Sequence, residues 1–144
     1  MADLRDLYQD AILDHYKKPR NFRRIEHANR QAEGSNPFCG DKLCVYLQIE
    51  DDVVADIAFT GEACAISTAS ASMMTENLKG KTVAEVRAVF QQFHLLLTDP
   101  SGSQPPPASM GNLSIFSGVR GYPVRVKCAI LAWDILNAAL EHVR

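Results

Sequence analysis

Four residues of this sequence combine metal-binding or nucleophilic donor atoms with surroundings that favour the reactive form: Cys39, Asp41, Cys64 and Cys128. Cys39 lies in Asn36-Pro37-Phe38-Cys39-Gly40-Asp41, where proline and glycine set a tight path that brings thiol and carboxylate to one edge. Cys64 follows Gly61 and opens a run that reads as a helix, whose unpaired N–H groups and dipole favour a thiolate. Cys128 falls in the first turns of a final helical run, next to Lys127 and near Arg125, two cations acting in the same direction. Thiolates attack sulfur and bind thiophilic metals, so the chemistry open to this set is sulfur exchange or metal binding. Spacing alone does not select the metal, because the paired Cys-x-x-Cys of structural zinc modules is absent.

The elements that must position these groups are legible from hydrophobic periodicity. Leu43, Val45, Leu47 and Ile49 alternate with polar or small residues, and Val53, Ala55, Ile57 and Phe59 do the same after Glu50-Asp51-Asp52. The two runs predict a β-hairpin. Matching apolar faces pairs Ile49 with Val53, Leu47 with Ala55, Val45 with Ile57 and Leu43 with Phe59, because a one-residue slip would turn every buried side chain to solvent. Extended to its open end, that register sets Asp41 opposite Gly61, with Cys39 and Cys64 beside them. Cys44 then lies on the opposite face from Leu43 and Val45 and reads as a small residue under a helix or loop.

Helices are expected on either side of the hairpin. Asp3 can cap a first helix over residues 4–17, with Leu4, Leu7, Tyr8, Ala11, Ile12 and Tyr16 on its apolar face and Pro19 ending it. A second helix starts near Cys64, carries Met73 and Met74 into the core and stops at Gly80. Thr82 and Glu85 have the spacing of a capping box, followed by Val83, Val86, Phe90, Phe93 and Leu97 at helical intervals. Residues 98–112 hold Pro100, Pro105, Pro106 and Pro107 and read as a mobile loop, with a short helical piece over 113–117. Pro123 opens a last helix with Val124, Cys128, Leu131 and Ile135 on one face. The fold class expected is α+β, a small antiparallel sheet packed against several helices with the metal site at one end of the sheet.

Length and charge limit the function classes. A chain of 144 residues is expected to form one domain over residues 1–144. A formal charge of −2 leaves no large basic face for a phosphate backbone, so nucleic acid is not an expected partner. The stretch 128–140 is interrupted by Asp134 and too short to span a bilayer, and residues 1–16 do not read as a signal peptide, so no membrane role is expected. A cytoplasmic location follows as the expectation, with the four cysteines held as reduced thiols. His15, His27, His94 and His142 are scattered and read as surface or helix-face residues. Lys17, Lys18, Arg20, Arg23 and Arg24 form a basic run that reads as a solvated face or a docking surface.

The motifs also carry a resemblance. Asn-Pro-x-Cys-Gly-Asp at 36–41, Cys-Ala-Ile-Ser at 64–67 with Ala-Ser-Ala-Ser-Met-Met-Thr at 69–75 behind it, and Arg125-Val126-Lys127-Cys128-Ala129 resemble the NifU N-terminal/IscU-type family of iron–sulfur cluster assembly proteins. Ile12-Leu13-Asp14-His15-Tyr16 with Pro19 and Asn21, and Leu131-Ala132-Trp133, extend the likeness over nearly the whole chain, most closely to its SufU branch. The resemblance implies that Cys39, Asp41, Cys64 and Cys128 hold a metal, with zinc in the resting form, and that Cys39 accepts persulfide sulfur from a cysteine desulfurase. The sulfur would pass on to a downstream scaffold or apo-protein acceptor, which would make the chain a zinc-dependent sulfurtransferase. Arg125 and Lys127, beside Cys128, read either as solvated charges or as residues that orient the site or the partner. The same four residues would alternatively hold a transient iron–sulfur cluster on a scaffold. Three features resemble the relay branch: Lys127 stands where scaffold-type relatives usually have histidine, residues 98–119 resemble its insertion, and Gly121-Tyr122-Pro123-Val124-Arg125 replaces the scaffold-type Leu-Pro-Pro-Val-Lys. Ala63 stands where the family commonly has glycine, a substitution that strains the backbone wherever positive φ is required.

Overall fold

The structure, a computed structural model, describes residues 4–36, 40–98 and 108–141. Its elements run α1 (Leu4–Lys17), β1 (Arg30–Asn36), β2 (Asp41–Glu50), β3 (Val53–Glu62), α2 (Ala65–Leu78), α3 (Val83–Thr98), a 3-10 segment (Ala108–Val119) and α4 (Pro123–Glu141). The strands form one antiparallel sheet in the order β1-β2-β3, with helices packed against it, which is the α+β class expected.

The hairpin is present, but its register differs from the one that apolar matching predicts. Leu43 pairs with Gly61, Val45 with Phe59 and Leu47 with Ile57; beyond a shift at Gln48/Ile49, Ile49 pairs with Val54 and Glu50 with Val53. The turn explains the difference. Asp51 and Asp52 both adopt positive φ, 50° and 64°, as a two-residue hairpin turn requires, and this closes the hairpin on Glu50 and Val53. Ala55 is then the extra residue of a bulge, so Val54 turns into the core and Ala55 to solvent. Because the shift along most of the hairpin is even, Leu43, Val45, Leu47, Ile57 and Phe59 still share the buried face.

Strand β1 lies in what the sequence presents as a polar connection. Arg30-Gln31-Ala32-Glu33-Gly34-Ser35-Asn36 has no apolar alternation, and its pairing with β2 places small Ala32 and Gly34 opposite Val45 and Leu43. Gly34 has a packing reason: a Cβ there would lie 2.8 Å from Ile135 Cγ1 on α4.

Helix α2 is central, buried from Ser67 to Thr75 and again at Leu78. Small hydroxyl residues allow neighbouring backbones to approach, and their hydroxyls find partners: Ser70 bonds the Ala129 carbonyl and accepts the Trp133 Nε1 hydrogen at 3.1 Å. Met73 and Met74 are fully buried, as the sequence suggests. Trp133 stacks on Phe93, ring centroids 4.4 Å apart, and Phe116 meets Phe93 edge-on. The capping box of α3 closes as expected, with Thr82 and Glu85 bonded reciprocally at 3.0 and 3.1 Å. Of the expected mobile stretch, residues 99–107 lie outside the described residues. Ala108–Val119 is packed, burying Met110, Leu113, Phe116 and Val119 at every third residue. The α1 face also departs from expectation: Ile12 is buried, but Tyr16 is exposed and His15 takes its place inside, against Ser72.

Candidate metal centre

Asp41, Cys64 and Cys128 come from three elements. Asp41 begins β2, one residue beyond the Lys42–Glu62 pair, and is 1% exposed. Gly61 makes this end of the sheet possible: its φ is 138°, and a Cβ there would fall 2.1 Å from the Lys42 carbonyl oxygen. The chain then turns so that Cys64 becomes the N-cap of α2, its sulfur accepting the Ser67 N–H at 3.4 Å. Ala63 is not among the residues of positive φ, so alanine is accommodated there without that strain. Cys128 lies in the second turn of α4 and is 3% exposed.

These elements converge closely. The Cys64 N–H donates to Asp41 Oδ1 at 2.8 Å, and Cys64 Sγ lies 3.8 Å from Asp41 Oδ2. One donor atom from each of Asp41, Cys64 and Cys128 falls within 4.8 Å of the other two, a set that could hold a metal ion. Two thiolate ligands of a tetrahedral zinc lie about 3.8 Å apart, given zinc–sulfur bonds of about 2.3 Å, so small movements would bring these donors to bonding distance. Two sulfurs and a carboxylate suit zinc or iron better than magnesium or calcium. Asp41 and Cys128 are buried and Cys64 is half-buried at the start of α2, so the donors are largely shielded from solvent.

Cys39 falls outside the described residues. Asn36 on β1 is buried, with Nδ2 3.8 Å from Cys128 Sγ, which adds a fourth element to the cluster. Arg125 and Lys127 are exposed beside Cys128; the Arg125 guanidinium lies 4.6 Å over the Tyr122 ring. Cys44 sits on the outer sheet face, away from Leu43 and Val45, half-buried with Gln31 Nε2 at 3.4 Å. Within the basic run, Arg20 pairs with Asp14 and Glu76, and Arg23 with Asp56. Ser67, one turn into α2, was not singled out by sequence reasoning: its Oγ lies 2.7 Å from Asp41 Oδ2. The available signal was its place three residues after an N-cap cysteine.

The model of the NifU-like N terminal domain family matches residues 7–129. The chain belongs to this family. Among its relatives, an iron–sulfur cluster assembly scaffold protein IscU of Thermotoga maritima is 38% identical over 138 residues, 95% of this chain and 94% of the relative. The zinc-dependent sulfurtransferase SufU of Bacillus subtilis is 36% identical over 136 residues, 94% of this chain and 90% of the relative. The crystal structure of a SufU described as a putative cluster assembly scaffold from Fervidobacterium islandicum aligns with a TM-score of 0.84 at 34% identity, covering 91% of this chain and 94% of that one. NifU-like chains of both names thus stand at similar distance. No helix among the described residues is long and apolar enough to cross a membrane.

Proposed function

We propose that this NifU-like chain is a zinc-dependent acceptor and carrier of persulfide sulfur in iron–sulfur cluster assembly. The observation that carries the reading is the convergence of Asp41, Cys64 and Cys128 donors within 4.8 Å, from three separate elements. Cys39, two residues before Asp41, completes the ligand set by family resemblance. Bound zinc would hold its cysteine ligands as thiolates at neutral pH and keep them covered until a partner arrives.

The chain's own residues supply the rest. Asp41 is the hard, exchangeable ligand among soft ones. Cys39, once uncovered, attacks the outer sulfur of a persulfide on the cysteine desulfurase. A sulfur–sulfur bond forms at Cys39 as that of the desulfurase breaks, and the desulfurase cysteine leaves as thiolate, with no net oxidation. Exposed Arg125 and Lys127 would attract the partner or orient the anionic sulfur. A downstream scaffold or apo-protein would then take the sulfur.

The second reading, a scaffold for a transient cluster, is favoured by the Thermotoga relative, an iron–sulfur cluster assembly scaffold protein. Lys127, where scaffold-type relatives usually have histidine, supports the relay instead. Desulfurase turnover, titrated with zinc-loaded and metal-free protein at fixed cysteine, separates the two. Strong stimulation by the zinc form, abolished by Cys39→Ser, is expected. No stimulation, together with a labile cluster on the metal-free protein, would establish the scaffold.

A further inference from the structure

Ser67 touches all three elements that carry the donor atoms. It is fully buried on α2, and its Oγ lies 2.7 Å from Asp41 Oδ2 on β2, 3.0 Å from the Cys128 carbonyl oxygen on α4 and 3.5 Å from Cys64 Sγ. A hydroxyl has one hydrogen to give, so the two oxygen acceptors compete for it. The shorter contact and the carboxylate charge assign that hydrogen to Asp41. The other carboxylate oxygen, Oδ1, is held by the Cys64 N–H, a donor fixed in the backbone. Asp41 is therefore clamped at both oxygens by the first turn of α2, one half of the clamp rigid and the other able to rotate.

We propose that Ser67 is a positioning residue of the metal centre, holding the Asp41 carboxylate toward Cys64 and turning its hydrogen to the Cys128 carbonyl whenever Asp41 moves. A buried hydroxyl with a single acceptor would resist releasing it, because the donor would be left unsatisfied. Here a second acceptor already stands 3.0 Å away, so Asp41 can shift with Ser67 still bonded. Ser67 thereby couples the orientation of the carboxylate ligand to the helix that carries Cys128. The inference rests on the zinc reading above and names how that site keeps a carboxylate ligand both ordered and replaceable.

A double-mutant cycle tests it, with zinc affinity measured by competition against a chromophoric chelator. Ser67→Ala is expected to weaken zinc about tenfold or more, the usual scale for groups that orient a ligand. Asp41→Ala should weaken it at least as much, and the double variant should bind no worse than Asp41→Ala alone. Unchanged affinity in Ser67→Ala, or a loss that recurs undiminished in the Asp41→Ala background, would overturn the proposal. Unfolding of the metal-free proteins, followed through Trp133 fluorescence, establishes that each variant is folded. Ser67→Thr, which keeps the hydroxyl, gives a second arm: affinity close to the unaltered protein supports the proposal, and a loss equal to that of Ser67→Ala contradicts it. Failure of the unaltered protein to bind zinc would be a different result, sinking the site reading itself.

Discussion

Asp41 does two jobs that a mutation separates. It is 1% exposed, accepts the Cys64 N–H and the Ser67 hydroxyl, and stands among the donor atoms of the site. Asp41→Ala leaves the Cys64 N–H without that acceptor, whereas Ser67 retains the Cys128 carbonyl. Metal-free Asp41→Ala should lose about 1–3 kcal/mol of stability, toward the lower end, and stay folded. In the zinc-loaded protein the same change should speed zinc exchange at least tenfold, followed by transfer to an indicator. Lowered stability with unchanged exchange would mark the zinc as a closed structural site. Asp41, Cys64 and Cys128 could be picked out of the sequence because residue type and local context speak directly about thiolate and carboxylate chemistry. Ser67 could not: its importance comes from contacts across 26 and 61 positions of chain, which local pattern does not encode.

The elements were legible in proportion to how strongly their periodicity is driven by burial. Helix α1 spans the expected residues, α3 starts at its capping box, and α4 starts at Pro123. Strand β1 escaped because Ala32 and Gly34, the latter kept small by Ile135 of α4, stand opposite Val45 and Leu43, so no hydrophobic alternation marks it. The hairpin faces were readable but its register was not: a turn with two left-handed aspartates and a bulge at Ala55 are decided by backbone geometry, to which apolar matching is blind. The two glycines of this region give an element-scale test. Gly61→Ala combines positive φ with a Cβ 2.1 Å from the Lys42 carbonyl oxygen, a backbone atom that cannot step aside. It should cost about 3 kcal/mol or more and reduce zinc binding at the adjacent site. Gly34→Ala meets only the Ile135 side chain, at 2.8 Å, and should cost about 1–3 kcal/mol with zinc binding retained. Urea unfolding and zinc titration of the two variants give the comparison; equal effects on zinc would contradict the assignment of Gly61 to the site end.

At the scale of the whole molecule, the packing of α1 onto α2 makes stability depend on pH. His15 is buried with Nδ1 2.7 Å from Ser72 Oγ, and that oxygen also accepts the Arg20 N–H at 2.8 Å. Burial chiefly, and then the Arg20 charge, push its pKa below the ordinary histidine value, with Glu76 and Asp14 opposing. The unfolded chain therefore takes up this proton more readily. The stabilisation is full above about pH 6.5 and is lost as pH falls through the lower folded-state value. The carboxylates of Asp14 and Asp56, held low chiefly by hydrogen bonds from Arg20 and Arg23, lose their contribution only below about pH 4. Thermal midpoints of metal-free protein should fall between pH 7 and pH 5, and His15→Gln should flatten that slope; a slope unchanged by the substitution would assign it to other groups. The fold thus ties one end of the sheet to α2 and α4 around the donor set, while α1 packs on α2 with His15 against Ser72.

The most direct test of the account is to locate sulfur on the protein after reaction. Zinc-loaded protein would be mixed with its cysteine desulfurase and cysteine, alkylated and mapped by peptide mass spectrometry. The account predicts one added sulfur on the peptide bearing Cys39, lost in Cys39→Ser and unaffected by Cys44→Ser. No sulfur on any cysteine of the zinc form, with cluster assembly on the metal-free protein supplied with iron, would contradict it.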